Sequence, residues 1–352
     1  MGGGKIGTCS SSNGAQYSTW HFMTHASRFK KPGDYRTFEL AGFSIILILG
    51  KDKQLRAFQN ICRHRAYQVT KKECGSSTVL GCRYHGWSYD TTGRLIKAPE
   101  FESIAGFDKN MNGLWPIKLE VKDSMVFMNL DSSSQILDLE LNESEQAFKR
   151  WDSKHVHCAV EWKVDCEFNW KLAAEDFSQL LAKENTRGLF NSLMAQRFKY
   201  QRRDFNLGHT ATTRRLAFGT LLTMRLLPQS AAITTIHCSI YKNQPINDKV
   251  ELEFESVKAE IQRGVQHLEQ TQKRLLNGYG NFSKLQQEKY RQILKGHRDA
   301  EARLGQEIHP AAQKQHLTMG GKADDEFCRK LDNTLDGEGT ACSASHRGLL
   351  DW

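Results

Sequence analysis

"CRHRAYQVTKKECGSSTVLGCRYH", residues 62–85, carries a cysteine closely followed by a histidine at each end. The two spacings differ, Cys62-x-His64 at the start and Cys82-x-x-His85 at the finish. On an extended loop, side chains two residues apart project to the same side, which predicts that Cys62 and His64 point together. The second pair closes round a tight turn, with Gly81 and Gly86 giving the backbone freedom on either side. Each loop therefore offers one thiolate and one imidazole. A zinc finger of the familiar kind groups its cysteines in one half and its histidines in the other, and this order does not.

Two loops carrying one Cys and one His each can instead give both thiolates to one iron and both imidazoles to another, as in a Rieske-type [2Fe–2S] centre. Neutral imidazoles in place of thiolates raise the reduction potential of such a centre, which takes up and passes on single electrons. Cys62, His64, Cys82 and His85 are thus the predicted cofactor ligands. Tyr84 is expected to direct its hydroxyl toward the cluster. Trp87 and Tyr89 alternate with Ser88 as strand residues do and are expected to cover the cluster loop. Cys74 lies inside the stretch but outside the pattern and reads as a packed or free thiol.

Outward from this stretch, Thr19 to Leu130 is a series of short β-type runs, among them "YRTFEL", "FSIILIL" and "SMVFMNL", broken by turn signals such as Lys31-Pro32-Gly33-Asp34 and Thr92-Gly93. Strands this short and close predict a small β-barrel or sandwich. Residues 1–15 are Gly/Ser-rich and predicted to be disordered, and the polar, acidic residues 131–150 read as a linker. A second segment follows, with strand-like "HVHCAVEWKVDCEFNW", helical "KLAAEDFSQLLAKEN" and further strands within "LLTMRLLPQSAAITTIHCSIY". Beyond it Ile261, Val265, Leu268 and Leu275 share one helical face, in a charged helix that Gly278 and Gly280 interrupt. The predicted organisation is an all-β domain over 16–130, the linker, an α+β domain over 151–319 and a flexible tail over 320–352.

Composition narrows the function. The chain has 352 residues, 39% hydrophobic and 25% charged, ordinary proportions for globular protein and enough for two domains. Its longest apolar run, Ile45–Leu49, is far short of the roughly 20 residues that cross a bilayer. The amino terminus lacks the apolar core of a secretory signal, which makes the cytoplasm the expected compartment and membrane association unexpected. Nine cysteines in such a chain favour reduced thiols or metal ligands over a disulfide framework. A formal charge of +9 suits acidic partners, but no basic run with interleaved aromatics points to nucleic acid.

The flanks "NICRHRAY" and "GCRYHGWSYDTTGRL", with the stretch from "STWHFMTH" to "LIKAPEF", resemble the amino-terminal half of fungal Rieske-type aromatic-ring-hydroxylating oxygenase alpha subunits, a group that includes choline monooxygenase-like proteins. Later landmarks, "EFNWKLAAEDF", "RLLPQSAAITTIHCSIY" and "GQEIHPA", look like that family's helix-grip catalytic domain. The resemblance implies an oxidoreductase that receives electrons from an NAD(P)H-dependent reductase or ferredoxin. It implies transfer to a mononuclear Fe(II) for hydroxylation or demethylation of a small organic molecule, and assembly as a homo-oligomer.

The family holds that iron with two histidines after the "NWK" landmark and a later carboxylate. Registered on Trp170-Lys171, this chain has Gln179 at the bridging acidic position, Ala182 at the first histidine and Arg187 at the second. Alanine has no donor atom, and a guanidinium is always protonated. His155 and His157, with Asp152 near by, form an alternative pair on one strand face; Glu269 and Asp299 are candidates for the carboxylate. His209, His237, His297 and His309 are dispersed and read as structural. Two expectations follow: an oxygenase, or a cluster-only electron-transfer protein or subunit without its own mononuclear iron.

Overall fold

The computed structural model describes residues 20–40, 42–102, 104–130, 139, 156–181, 204–208, 210–216, 220–243, 248–278 and scattered helical positions between 288 and 303. Residues 1–15 and 320–352 lie outside them, as does all of 131–150 except Leu139. The described residues fall into two compact units, Lys31–Pro116 and those of Met1–Lys30 with Ile117–Ala311.

The chain opens with β1 (Trp20–His25), which belongs to the larger unit, and then builds the smaller one. Strands β2 (Asp34–Leu40), β3 (Phe43–Leu49), β4 (Leu55–Gln59) and β5 (Cys74–Ser76) lie in the order β4-β3-β2-β5, all antiparallel. The run Ile45–Ile48 is wholly buried at the centre of that sheet, as a continuous β-branched and aliphatic run demands. A second sheet, β6 (Val79–Gly81), β7 (Ser88–Asp90) and β8 (Leu95–Lys97), contributes Leu80, Tyr89 and Leu95 to one core with Ile46, Ile48 and Phe58. Both predicted cysteine ligands, Cys62 and Cys82, are part of this core.

In the larger unit β9 (Pro116–Lys122) and β10 (Met125–Asn129) form a hairpin on Asp123 and Ser124, both at positive φ, the backbone of a type I′ turn. Strand β1 pairs with β10. A five-stranded sheet follows from β11 (His157–Cys166), β12 (Asp204–Asn206), β13 (Ala211–Arg215), β14 (Leu221–Pro228) and β15 (Thr234–Lys242), ordered β11-β15-β14-β13-β12. Between β11 and β12 lies a short helix, α1 (Trp170–Glu175). Alternation along β15 sends Ile236, Cys238 and Ile240 to one core, with Phe254, Val257, Ile261, Val265 and Leu268 of the long helix α2 (Asp248–Leu276). Tyr241 goes to the other face, with Phe22, Met125 and Phe127. The helical periodicity of Ile261, Val265 and Leu268 is therefore a core face, and Gly278, at φ +80, follows the helix end. A sheet-rich part followed by an α+β part is the architecture expected from the sequence.

One element differs. The predicted helix over 171–185 is broken: α1 stops after six residues and a 3₁₀ turn, Phe177–Leu181, succeeds it. Asp176 makes the break. Its backbone is extended and its carboxylate accepts the Ser178 N–H at 2.9 Å, capping a new turn instead of continuing the old one. Burial of Phe177, Leu180 and Leu181 rewards the change of direction. Gly264 of α2 is the floor of this contact, since a Cβ there would stand 2.5 Å from the Leu180 carbonyl oxygen.

Candidate metal centre

Two turns of the same construction carry the predicted ligands. In the first, the Cys62 N–H donates to the Tyr67 carbonyl at 2.8 Å and the Ala66 N–H to the Cys62 carbonyl at 3.0 Å. In the second, the Cys82 N–H donates to the Trp87 carbonyl at 2.8 Å and the Gly86 N–H to the Cys82 carbonyl at 3.0 Å. Each turn places its fifth residue at positive φ, Ala66 at 55° and Gly86 at 72°. The first pair thus sits on a closed turn, not on the extended loop expected from Cys-x-His. Gly86 has the predicted conformational role, whereas Gly81 is the last residue of β6 and is not at positive φ. The signal for the first turn is hidden because its left-handed position is an alanine.

These turns bring the four residues together in two pairs. The thiols of Cys62 and Cys82 are buried and hydrogen-bonded to each other. Their shared hydrogen bond first and burial second push the Cys62 thiol well up, while the same bond lowers Cys82. On the other side, His64 Nδ1 and His85 Nδ1 stand 2.9 Å apart. Two nitrogens about 2 Å from one metal are separated by about 3 Å, so this pair has the spacing of ligands to a shared ion. Among the described residues no three His, Cys, Asp or Glu side chains gather at one point. A sulfur pair beside a separate nitrogen pair fits a diiron unit with two inequivalent metals, and fits a single tetrahedral ion poorly.

The surroundings correct one expectation. It is Tyr89, not Tyr84, that presents a hydroxyl to a predicted ligand: its oxygen lies 3.2 Å from Cys62 Sγ and accepts the Arg63 N–H at 3.0 Å. The Tyr84 ring instead lies on His85, centroids 3.9 Å apart. Direction along β7 decides this, because Tyr89 points into the core and is fully buried. Trp87 covers the site as expected, stacked parallel on His64 at 5.0 Å. Cys74 is exposed on β5, a free thiol away from the pair.

Residues 19–108 match the Rieske [2Fe–2S] domain family. Curated relatives that the chain matches include aromatic dioxygenase alpha subunits and carnitine monooxygenase oxygenase subunits. The benzene 1,2-dioxygenase alpha subunit of Pseudomonas putida is 30% identical over 184 residues, half of this chain and 40% of that one. The oxygenase subunit of carnitine monooxygenase from Escherichia coli K12 is 37% identical over 123 residues, 35% of this chain and 33% of that one. The chain thus spans less than half the length of these relatives. Among solved structures, a quaternary ammonium Rieske monooxygenase described in terms of carnitine oxidation and inter-subunit electron transfer covers 80% of this chain, at TM-score 0.61 and 18% identity, over 89% of its own. Naphthalene 1,2-dioxygenase with indole bound covers 76% at TM-score 0.55 and 18% identity, over 77% of its own. These likenesses extend the shared fold from the Rieske domain into the α+β part.

Among the described residues, those considered for a mononuclear iron form no cluster of metal-ligating side chains. Asp152, His155, Ala182, Arg187, His209, His297 and His309 lie outside the described residues. Gln179 belongs to the 3₁₀ turn, so a helical register carried from Trp170 does not extend through Asp176. His157 opens β11 opposite Lys242, and Asp299 is exposed on a helical segment. Glu269 is engaged, its Oε1 accepting the Glu167 N–H at 3.0 Å.

Sequence reasoning missed a partly buried polar network in the larger unit. The Arg28 guanidinium donates to Glu161 Oε2 at 2.7 Å, Cys158 Sγ at 2.9 Å, Ser239 Oγ at 3.2 Å and the Tyr241 hydroxyl at 3.3 Å. Glu161 Oε1 meets His237 Nε2 at 2.8 Å, and Arg225 reaches His237 Nδ1 at 2.7 Å. Burial works against the Glu161 charge, but bonds from His237 and Arg28 overcome it and hold the carboxyl well below the usual range. Burial lowers His237, with Glu161 opposing. The network ties Arg28 to four residues on two strands, β11 and β15, and reads as structural. Its signal was the polar alternation of His237 and Ser239 along β15.

Among the described residues no helix is long and apolar enough to cross a membrane.

Proposed function

We propose that the chain holds a [2Fe–2S] cluster through Cys62 and Cys82 on one iron and His64 and His85 on the other. The reading assigns residues 16–130 to the cluster domain, 131–150 to a linker and 151–319 to an oxygenase-like domain. One observation carries it: two matched turns present a sulfur pair and a nitrogen pair side by side. When bound, the cluster supplies one-electron storage at a potential raised by its two imidazoles. The chain's own residues pack Trp87 and Phe101 against His64, and aim the Tyr89 hydroxyl at Cys62.

Electrons come from a separate NAD(P)H-dependent reductase or ferredoxin in the cytoplasm. They serve the hydroxylation or demethylation of a small organic molecule, in an assembly of several copies. The aromatic and quaternary ammonium substrates named for its relatives mark the two classes to screen. A second reading, a cluster-only electron-transfer protein or a subunit without its own mononuclear iron, is favoured by Ala182 and Arg187 where the family pattern has histidines.

Iron and acid-labile sulfide per chain, with the electron-spin spectrum of anaerobically reconstituted protein, test both. About two irons and two sulfides with a reducible chromophore support the cluster without a second centre. A third iron establishes the complete oxygenase. Zinc in place of iron, with no visible colour, overturns both.

A further inference from the structure

Arg63 stands between the predicted ligands Cys62 and His64 and is held at both main chain and side chain. Its backbone N–H donates to the Tyr89 hydroxyl oxygen at 3.0 Å, the same oxygen that lies 3.2 Å from Cys62 Sγ. A phenol has one hydrogen, so while its oxygen accepts from Arg63 the Tyr89 O–H is directed at the sulfur. The Arg63 side chain reaches elsewhere. Its guanidinium carbon is 3.7 Å from the centroid of the Trp115 ring, and Nη1 donates to the Gly113 carbonyl at 3.0 Å. Arg63 and Trp115 are both half-buried.

The gripped segment, residues 113–115, is itself fastened to the hairpin that carries Tyr89. The Leu114 N–H donates to the Gly93 carbonyl at 2.7 Å, and a Cβ on Gly113 would stand 3.0 Å from that oxygen. Gly93 belongs to the turn joining β7 to β8. There its N–H donates to the Asp90 carbonyl at 3.0 Å, and the Asp90 N–H to the Arg94 carbonyl at 2.9 Å. Tyr89 directly precedes Asp90 on β7. The contacts close a ring: Arg63 side chain to Gly113, Leu114 to Gly93, the hairpin to Tyr89, and the Tyr89 hydroxyl back to the Arg63 N–H. Such a ring fixes the separation of the hydroxyl from Cys62 Sγ, on which the strength of a hydrogen bond depends steeply.

Resting on the cluster reading above, we propose that Arg63 is a positioning residue whose side chain sets the Tyr89–Cys62 hydrogen bond and, through it, the reduction potential of the cluster. A planar guanidinium suits the task, because it stacks on an indole and donates from its edge at the same time; an ammonium on a flexible stem does not. The agent is the shape of the side chain, not its charge. The ligands need no such support, since each turn closes on its own backbone bonds.

The test uses the full chain reconstituted with iron and sulfide and reads the midpoint potential. Arg63→Gln and Arg63→Lys are each expected to lower it, by comparable shifts, with about two irons and the visible spectrum retained. In a Tyr89→Phe background neither substitution is expected to lower it further, because the bond they act through is gone. A wild-type potential in Arg63→Lys makes charge the agent and overturns the proposal. Equal shifts with and without the Tyr89 hydroxyl put the effect of Arg63 directly on the cluster and overturn it as well. An unchanged potential in Arg63→Gln with iron retained leaves a merely structural residue, a third overturning result. Trp115→Leu keeps the guanidinium but removes its platform, and decides the matter should both Arg63 variants lose iron: a lowered potential that disappears in the Tyr89→Phe background supports the proposal, and an unchanged one overturns it. A wild-type chain without a dithionite-reducible chromophore strikes the cluster reading and the proposal with it, whereas the other results strike only the role of Arg63.

Discussion

The cluster turns and the segment after "NWK" are both motif-bearing stretches, yet the structure treats them differently. Each turn closes within six residues on its own backbone hydrogen bonds, so the ligand positions depend on little outside 62–67 and 82–87. The segment from Trp170 needs one helical phase sustained over about four turns, and Asp176 interrupts it after the first six residues. Local motifs keep their geometry when copied between chains. A register is only as good as every residue along it.

The largest effect expected from this contrast is at the turns. Cys62→Ser removes one of the two sulfurs, and iron per reconstituted chain is expected to fall from about two to near zero, with loss of the visible chromophore. Iron retained at the wild-type level would place the cluster elsewhere.

The larger unit depends on buried polar groups, and the sharpest is His25. It is fully buried, burial first and Arg28 second lower it from 6.5 to about 4, and its Nδ1 accepts the Ser27 N–H at 3.1 Å. A depressed histidine leaves the unfolded chain binding more protons, so its contribution is present above pH 6.5 and is lost as pH falls toward 4. The loss is about 3 kcal/mol, measurable by urea unfolding against His25→Gln, in which that part of the pH dependence is absent.

Gly264 probes the broken helix directly. Gly264→Ala gains about 1 kcal/mol of helix propensity but drives a Cβ into the Leu180 carbonyl, and a net loss of about 1–2 kcal/mol is expected in the same unfolding measurement. A gain in stability would mean that the 3₁₀ turn does not pack on α2.

Tyr89→Phe removes the hydroxyl beside Cys62 and is expected to lower the midpoint potential by on the order of 50 mV, the equivalent of one hydrogen bond of about 1 kcal/mol. Tyr84→Phe is expected to leave it unchanged.

What could be read from the chain follows the same division. Ile45–Ile48 as a buried strand, the apolar face of α2 and the four donor residues were all legible, because period, composition and short spacing encode them. The pairing of Tyr89 with Cys62 was not. Both tyrosines follow Cys82 closely, and only the β6-β7 register, Leu80 opposite Tyr89, turns one of them inward. The Arg28 network was hidden because Arg28, in a 3₁₀ turn, meets Glu161 and His237 only once β11 and β15 have paired. The break at Asp176 had a local signal, Asp followed two residues later by Ser, but the favourable helix formers on both sides outweighed it.

The smallest effect separates the two turns from each other. Ala66 and Gly86 occupy equivalent left-handed positions, but a side chain there costs about 1 kcal/mol, and only the second turn avoids it. Gly86→Ala adds that strain and a Cβ 3.3 Å from Pro99 Cγ, so a loss of about 1–2 kcal/mol is expected. Ala66→Gly relieves the strain but loosens the unfolded chain by nearly as much, which predicts a change within about 0.5 kcal/mol. Equal responses at the two positions would show that the shared hydrogen-bond pattern does not fix a shared conformation. Unequal responses in this order make the turns two versions of one device, of which the second alone has the residue its backbone favours.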